Sequence, residues 1–295
     1  MRNQYFYLRA IVAIVGIVLF ASAPATGQTP NAPAKPTSTW TPPRTPDGQP
    51  DIQGYWTNLQ PADQSKQFFS YSLTGEGAEA HDRIAGRQGR QYDSIVIAPG
   101  GKIPYRPEAL KIKEEKLANH LTPKKLDHVD TRMRCILTGA PRLLYSSGAP
   151  QILQVPGYVL LLTEFNHAYR IVRLDGAPHL GPNLKLWAGD SRGRWEGNTL
   201  VVDATNHKPG WLDNSGNFYS DALHVVERWT LVDPNTIHYE ATVEDPKVLT
   251  APFKLAFRMT RRTESDYEQL EEACHEGNFS LPHMYEKSWM SGVPR

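Results

Sequence analysis

From residue 142 to residue 273 the chain repeats one pattern, an apolar run of five to ten residues followed by a turn. Residues 151–155 and 158–165 are split by Pro156-Gly157, and 167–174 ends at Asp175-Gly176. A weaker run covers 184–188, and Trp195-Glu196-Gly197-Asn198 turns into 199–205. Residues 223–232 reach 236–244 through Asp233-Pro234-Asn235, and 253–262 and 267–273 complete the series. Strands at this spacing, with no helical period between them, predict a mainly β fold built as an antiparallel meander. Such a meander closes into a barrel or, alternatively, stacks as a β-sandwich. The alternation gives each strand two faces: Phe253, Leu255, Phe257 and Met259 share one, and Ile237, Tyr239, Ala241 and Val243 share another. No repeat of fixed period stands out, which argues against a propeller.

The first half reads differently. Residues 51–57 predict a short strand, and 60–134 predict a polar insertion of long loops. Within it, 106–120 predicts a helix: Pro107 suits the first turn, Glu108 the positive end, and Leu110, Ile112 and Leu117 supply a partial apolar face. A second helix is expected near 77–87. Residues 28–50, rich in Pro, Thr and Ala, read as a linker. Ahead of them Arg2 and Arg9 precede an unbroken apolar run at 10–20, and small residues fill 21–27. That order predicts a secretory signal cleaved between Ala23 and Gln28. The run falls short of the roughly 20 residues that cross a bilayer. The expected organisation is a signal at 1–27, a linker at 28–50 and one β domain at 51–295 carrying the insertion. The mature chain is expected in the periplasm or outside the cell, with no stable membrane span.

Removing the signal lowers Lys+Arg from 32 to 30 against 31 Asp+Glu. A near-neutral chain is a poor partner for nucleic acid. Export brings the two cysteines, Cys135 and Cys274, into an oxidising compartment, where an even count predicts that they pair. No H-x-H, H-E-x-x-H or cysteine pair at ligand spacing is present, so no metal is expected. No G-x-S-x-G, phosphate loop or dinucleotide fingerprint is present either, so no cofactor is expected.

Three carboxylates break the apolar faces. Glu164 follows Tyr158, Leu160 and Leu162; Glu227 lies between Val225 and Trp229; Asp203 continues the face of Thr199 and Val201. A buried carboxylate needs a partner, and Arg170, Arg194 and Arg228 are at hand. Read blandly, these are salt bridges that tie strands. Read as a site, they orient a ligand or move a proton. His167 and His224 sit at strand ends beside acidic residues, and a carboxylate-held imidazole can act as a general base. The candidate catalytic set is therefore His167, His224, Glu164, Asp203 and Glu227, with His167 and His224 expected to face one cavity. Arg170, Arg194, Trp195, Arg228 and Glu240 are the candidate ligand contacts.

Two resemblances add to this. Gly54-Tyr55-Trp56 resembles the G-x-W of the first lipocalin strand, which implies a lipocalin-like barrel with its Trp closed over by a late basic residue, Arg258 or Arg261. The insertion at 60–134 departs from that family. The phrases TPDGQPDIQGYWTN, LLTEFNHAYRIVRLDGAPH, GRWEGNTLVVDATN, SDALHVVERW and VEDPK are similar to a large family of exported bacterial proteins with no known reaction. That resemblance points to residues inside the phrases, among them Asn166, Glu196, Asp221 and Asp245 beside those named above. Gly189-Asp190-Ser191 stands where that family usually has Gly-His-Ser. The resulting expectation is a barrel that takes a small apolar or aromatic molecule, with metal-free acid–base chemistry of lyase or isomerase type. The alternative is a non-catalytic binding or envelope-structural module.

Overall fold

The computed structural model describes residues 40–57, 73, 96–98, 101–146 and 150–286. The expected signal, the linker before residue 40 and the expected helix near 77–87 lie outside them. The strands are β1 (Gly54–Thr57), β2 (Val96–Ile97), β3 (Gln151–Val155), β4 (Tyr158–Leu162), β5 (Tyr169–Arg173), β6 (Asp190–Glu196) and β7 (Thr199–Thr205). They continue with β8 (Gly210–Trp211), β9 (Phe218–Tyr219), β10 (His224–Asp233), β11 (Thr236–Glu244) and β12 (Phe253–Arg261). Nine of them close a barrel in the order β1-β3-β4-β5-β6-β7-β10-β11-β12 and back to β1. The edge of β12 is shared: Arg261 pairs with Trp56 of β1, and Lys254 with Ile97 of β2. The sandwich alternative is not the form taken.

The barrel is not the uninterrupted antiparallel meander that the alternation predicts. β5 and β6 run parallel, with Val172 opposite Ser191 and Arg173 opposite Arg192. A period of two assigns faces and says nothing of direction. The parallel pair needs a crossover of a dozen or more residues, and residues 174–189 supply it. The weak run at 184–188 lies in that crossover and makes only a bridge, Leu186 to His207. Residues 267–273 likewise make only the bridge Phe165 to Glu272. β8 and β9 form a separate two-stranded sheet in what reads as loop.

Inward-facing side chains follow the predicted alternation. Trp229 meets Tyr239 edge-on at 6.1 Å, Tyr239 lies 4.7 Å from Phe257, and Tyr145 meets Phe257 at 6.3 Å. These rings run one against the next through the barrel. At one end the Arg261 guanidinium covers Trp56 at 4.3 Å and donates to the Gln53 carbonyl. The Trp56 indole donates to the Ile52 carbonyl at 2.9 Å. The expected basic cover is therefore Arg261, not Arg258. Gly54 is required here: a Cβ would lie 2.5 Å from Arg261 Nη1, and its φ is +121°.

At the other end, helix α2 (Leu143–Ser146) brings Leu143, Leu144 and Tyr145 into the core. Tyr145 donates to the Leu212 carbonyl at 2.7 Å. Arg142 is buried against Asp130 through two bonds of 2.6 Å and reaches Asn214 Oδ1 at 2.7 Å. Helix α1 spans Pro107–Asn119, as predicted, but buries a different face. Ala109, Lys113 and Lys116 are buried, while Leu110 and Ile112 are exposed. Long lysine stems cover apolar surface once their ammonium finds a partner, and Lys116 finds Asp127. Cys135 and Cys274 form a disulfide with Cα atoms 5.6 Å apart. It joins the insertion to the segment ahead of helix α3 (Ser280–Glu286). No described helix is long and apolar enough to cross a membrane.

Candidate functional site

The five carboxylates and histidines singled out above fall in different places. Glu227 points into the barrel from β10. It takes both terminal nitrogens of Arg170, at 3.0 and 2.5 Å, and the Tyr239 hydroxyl at 2.8 Å. Arg170 Nε donates to Ser191 Oγ at 2.9 Å. Arg170 is 2% and Glu227 0% exposed, so solvent does not reach this set. Burial, then the Glu227 charge, push the Tyr239 phenol well up. The four side chains satisfy one another and link β5, β6, β10 and β11 across the lumen.

Glu164 ties the end of β4 to the C-terminal segment, accepting from the Tyr267 hydroxyl at 3.2 Å and the Leu270 amide at 3.0 Å. His167, on the β4–β5 turn, faces Glu271 at 3.2 Å and is exposed. Arg194 and Arg228 both pair with Glu196, at 2.7 and 2.9 Å, and Glu240 pairs with Lys254 at 2.8 Å. The Trp195 indole nitrogen is buried without a partner. His167 and His224 do not share a cavity: β6 and β7 separate them in the sheet order, and they have no partner in common. Glu227 faces the lumen, whereas His224, one pleat out of phase on the same strand, faces away from it.

Asp203 and His224 do meet, on the outer wall. Asp203 projects outward from β7 and His224 from the start of β10, with Asp203 registered against Val226. His224 Nε2 lies 3.1 Å from Asp203 Oδ2, and its Nδ1 lies 3.4 Å from Glu244 Oε2. The other Asp203 oxygen meets His179 Nε2 at 3.0 Å, and His179 Nδ1 meets Asp190 Oδ2 at 2.9 Å. Arg192 closes the line, donating to Asp190 Oδ1 at 2.5 Å. The result is a row: Glu244, His224, Asp203, His179, Asp190, Arg192. The β5–β6 crossover delivers His179. It is held there by Asn206, which donates to the Leu180 carbonyl at 2.9 Å, and by the Leu180 amide, which donates to Asp190 at 2.9 Å.

Charge follows from this geometry. The Asp203 hydrogen bond raises the His224 pKa; partial burial opposes it and Glu244 adds to it. His224, then burial acting in the opposite sense, then His179 leave the Asp203 carboxyl below its usual range. At Asp190 burial works upward, but the Leu180 amide, His179 and Arg192 outweigh it and hold the carboxyl low. The three central side chains stay reachable, His179 at 28% and Asp203 and His224 at 35% exposure. Glu244 also lines a cleft of about 260 Å³ with Arg106, Leu249 and Pro252. Among the described residues no group of three or more His, Cys, Asp and Glu converges as a metal site, the donors here bonding one another in a line.

His207 lies behind this wall and is fully buried. Neither ring nitrogen has a well-formed hydrogen bond, and burial, with Arg170 nearby, pushes its pKa down to about 3. It stays a neutral spacer against Gly189, where a Cβ would overlap the ring.

No protein-family model matches the chain, and no curated protein matches it. Among solved structures, the crystal structure of a mutant of the fluorescent protein UnaG, with one asparagine replaced by alanine, is similar. It is 14% identical over 45% of this chain and 86% of that one, with a TM-score of 0.25. Neither fold nor function is read from a likeness of that size; the closed barrel rests on the strand pairing itself.

Proposed function

We propose that this is an exported β-barrel protein that binds a small, largely apolar or aromatic molecule at its outer rim and moves a proton on it through His224 and Asp203. The observation that carries the reading is the shared carboxylate. Asp203 holds two partly exposed imidazoles at once, and each imidazole has a second carboxylate on its far nitrogen. With a carboxylate on each nitrogen His224 is held as the charged imidazolium, so it gives a proton to one atom of the bound molecule while a carboxylate of the row, Glu244 at the cleft, takes one from a carbon, with no net oxidation. That is the lyase or isomerase type of step. The adjoining cleft offers proline and leucine walls for an apolar body. Export rests on the Arg-flanked apolar run at 10–20 and on the resemblance to exported bacterial proteins.

A second reading, a non-catalytic module, is favoured by one observation. The lumen where a barrel would hold its ligand carries a chain of aromatic side chains and a closed Arg170–Glu227 pair. The test is to purify the mature chain from the periplasm and identify any co-purifying molecule by native mass spectrometry. That molecule is then offered to His224→Gln and Asp203→Asn. Loss of binding or turnover with melting temperatures within about 3 °C of the parent, the scale of a surface change, supports the rim site. Unchanged binding and turnover in both variants refutes it, and no retained molecule favours the module.

A further inference from the structure

We propose a second ligand site, separate from the rim row: the cleft between α1 and the β8–β9 sheet takes a small aromatic carboxylate. The cleft has a volume of about 270 Å³ and is walled by Trp211, Phe218, Tyr219 and Ile112, with Lys116 and Arg134 among its polar lining. It shares no residue with the row from Glu244 to Arg192.

Its charges do not balance. Lys116 is taken: its ammonium bonds Asp127 through Oδ1 at 2.5 Å and through the backbone carbonyl at 2.8 Å. It stands over both rings of the wall, 5.1 Å from the Trp211 centroid and 5.5 Å from that of Phe218. Arg134 has no carboxylate partner among the described residues, and its Nε is buried with no hydrogen bond. Trp211 is 3% exposed, and its indole nitrogen is also without a partner. Two cations thus face one carboxylate, and Lys116 already takes it. A guanidinium without a counter-charge beside an aromatic wall marks the place of an absent anion.

The acceptor's chemistry follows. A planar guanidinium matches a carboxylate through parallel N–H bonds better than it matches a point acceptor. An aromatic or compact apolar body suits walls made of Trp, Phe and Tyr. A neutral ring would leave the guanidinium uncompensated, and a bare anion would leave the walls unfilled. The volume suits one ring with a short acidic side chain, near the lower bound of known ligand clefts.

Isothermal titration of the mature chain with phenylacetate tests this, with phenylacetamide and acetate as the uncharged and ringless controls. Phenylacetate should bind at least about tenfold more tightly than either control, the scale of one charge-assisted contact. Arg134→Gln should remove that preference and leave phenylacetamide binding and the melting temperature unchanged. Phe218→Leu keeps an apolar wall and deletes a ring, and should weaken phenylacetate by a smaller factor. His224→Gln, which disables the rim, should leave phenylacetate binding intact. Equal binding of acid and amide, no heat with phenylacetate at millimolar concentration, or a preference that survives in a folded Arg134→Gln protein would each overturn the assignment. If Arg134→Gln does not fold, the Phe218→Leu titration decides alone, an unchanged affinity counting against the site.

Discussion

At His224 the folded protein gains from a proton, and at His207 it loses by one. The His224 pKa is raised, so its contribution is full below the unfolded value of about 6.5 and fades as pH rises through the folded value. Asp203 is lowered, so its contribution is present above about 3.9 and fades as pH falls through its folded value. Their pair is therefore worth most between about pH 4 and 6.5. The groups are about a third exposed, and solvent screening keeps the effect small. Melting temperature should drop by about 1–3 °C between pH 6 and pH 8.5 on this account, and His224→Gln should flatten that drop in differential scanning calorimetry. His207 works the other way. Its folded pKa of about 3 lies below the unfolded value, so stability is lost as pH falls below about 6.5. His207→Leu removes the ionisation and should weaken the loss of melting temperature between pH 6.5 and 4.5. An unaltered slope would mean that other groups carry the acid sensitivity. Gly189 belongs with His207. Its φ is +73° and its Cα packs against the ring, so Gly189→Ala should cost about 2–4 kcal/mol by overpacking and backbone strain. Urea unfolding would measure it.

Between elements, the Arg170–Glu227 pair fixes β5 to β10 across the lumen. Breaking a buried pair leaves a charge with no partner, so Glu227→Gln should cost about 3–5 kcal/mol in denaturant unfolding. Arg170→Met with Glu227→Leu should recover most of that, because apolar pairs of similar volume often replace buried ion pairs without loss. A double variant as unstable as the single one would mean that Tyr239 and Ser191 cannot tolerate losing their partners. This pair is legible in the sequence: Glu227 interrupts the Val225–Trp229 face, and a buried carboxylate needs a cation such as Arg170. The inner faces of β11 and β12 are legible for the same reason, since period two is imposed by the pleat. The direction of β6 is not, because parallel and antiparallel strands alternate alike. The rim row is half legible. Asp203 and His224 lie on strands whose pattern marks them. His179 lies in the crossover, where no periodicity distinguishes a ligand from a loop residue. Asp190 stands out only through Gly189-Asp190-Ser191, just ahead of the phrase GRWEGNTLVVDATN. Tertiary placement of the crossover, which joins them, leaves no local trace.

For the whole molecule, the disulfide divides what the barrel holds from what it merely tethers. Cys135 lies in the stretch that closes one end of the barrel, and Cys274 lies 139 residues on, past the last strand. By lowering its entropy, a closure of that length destabilises the unfolded chain by about 4–5 kcal/mol on the chain-entropy model. The segment after β12 is tied to the barrel by single contacts at its edge, among them the Phe165–Glu272 bridge and the Leu270 amide on Glu164. Tyr267 meets Tyr55 edge-on at 4.9 Å and donates to Glu164, Gln269 donates to the Leu162 carbonyl at 3.0 Å, and Asn278 donates to the Met133 carbonyl at 3.2 Å. Most of its side chains are at least partly exposed, and it adds no strand to the sheet. The barrel closes without it, since β12 already pairs with β1. Reduction should therefore free the segment before it unfolds the barrel. The oxidised protein, unfolded without reductant, should show no free thiol to a labelling reagent. With dithiothreitol present under native conditions, limited proteolysis should cut first beyond residue 262, while the far-ultraviolet circular dichroism of the sheet is retained. Cys135→Ser with Cys274→Ser should reproduce both results without reductant. If reduction instead abolishes the sheet signal and proteolysis begins throughout the barrel, the closed strand order is not sufficient to hold the fold, and the end closure around Asp130, Arg142 and Tyr145 depends on the covalent tie.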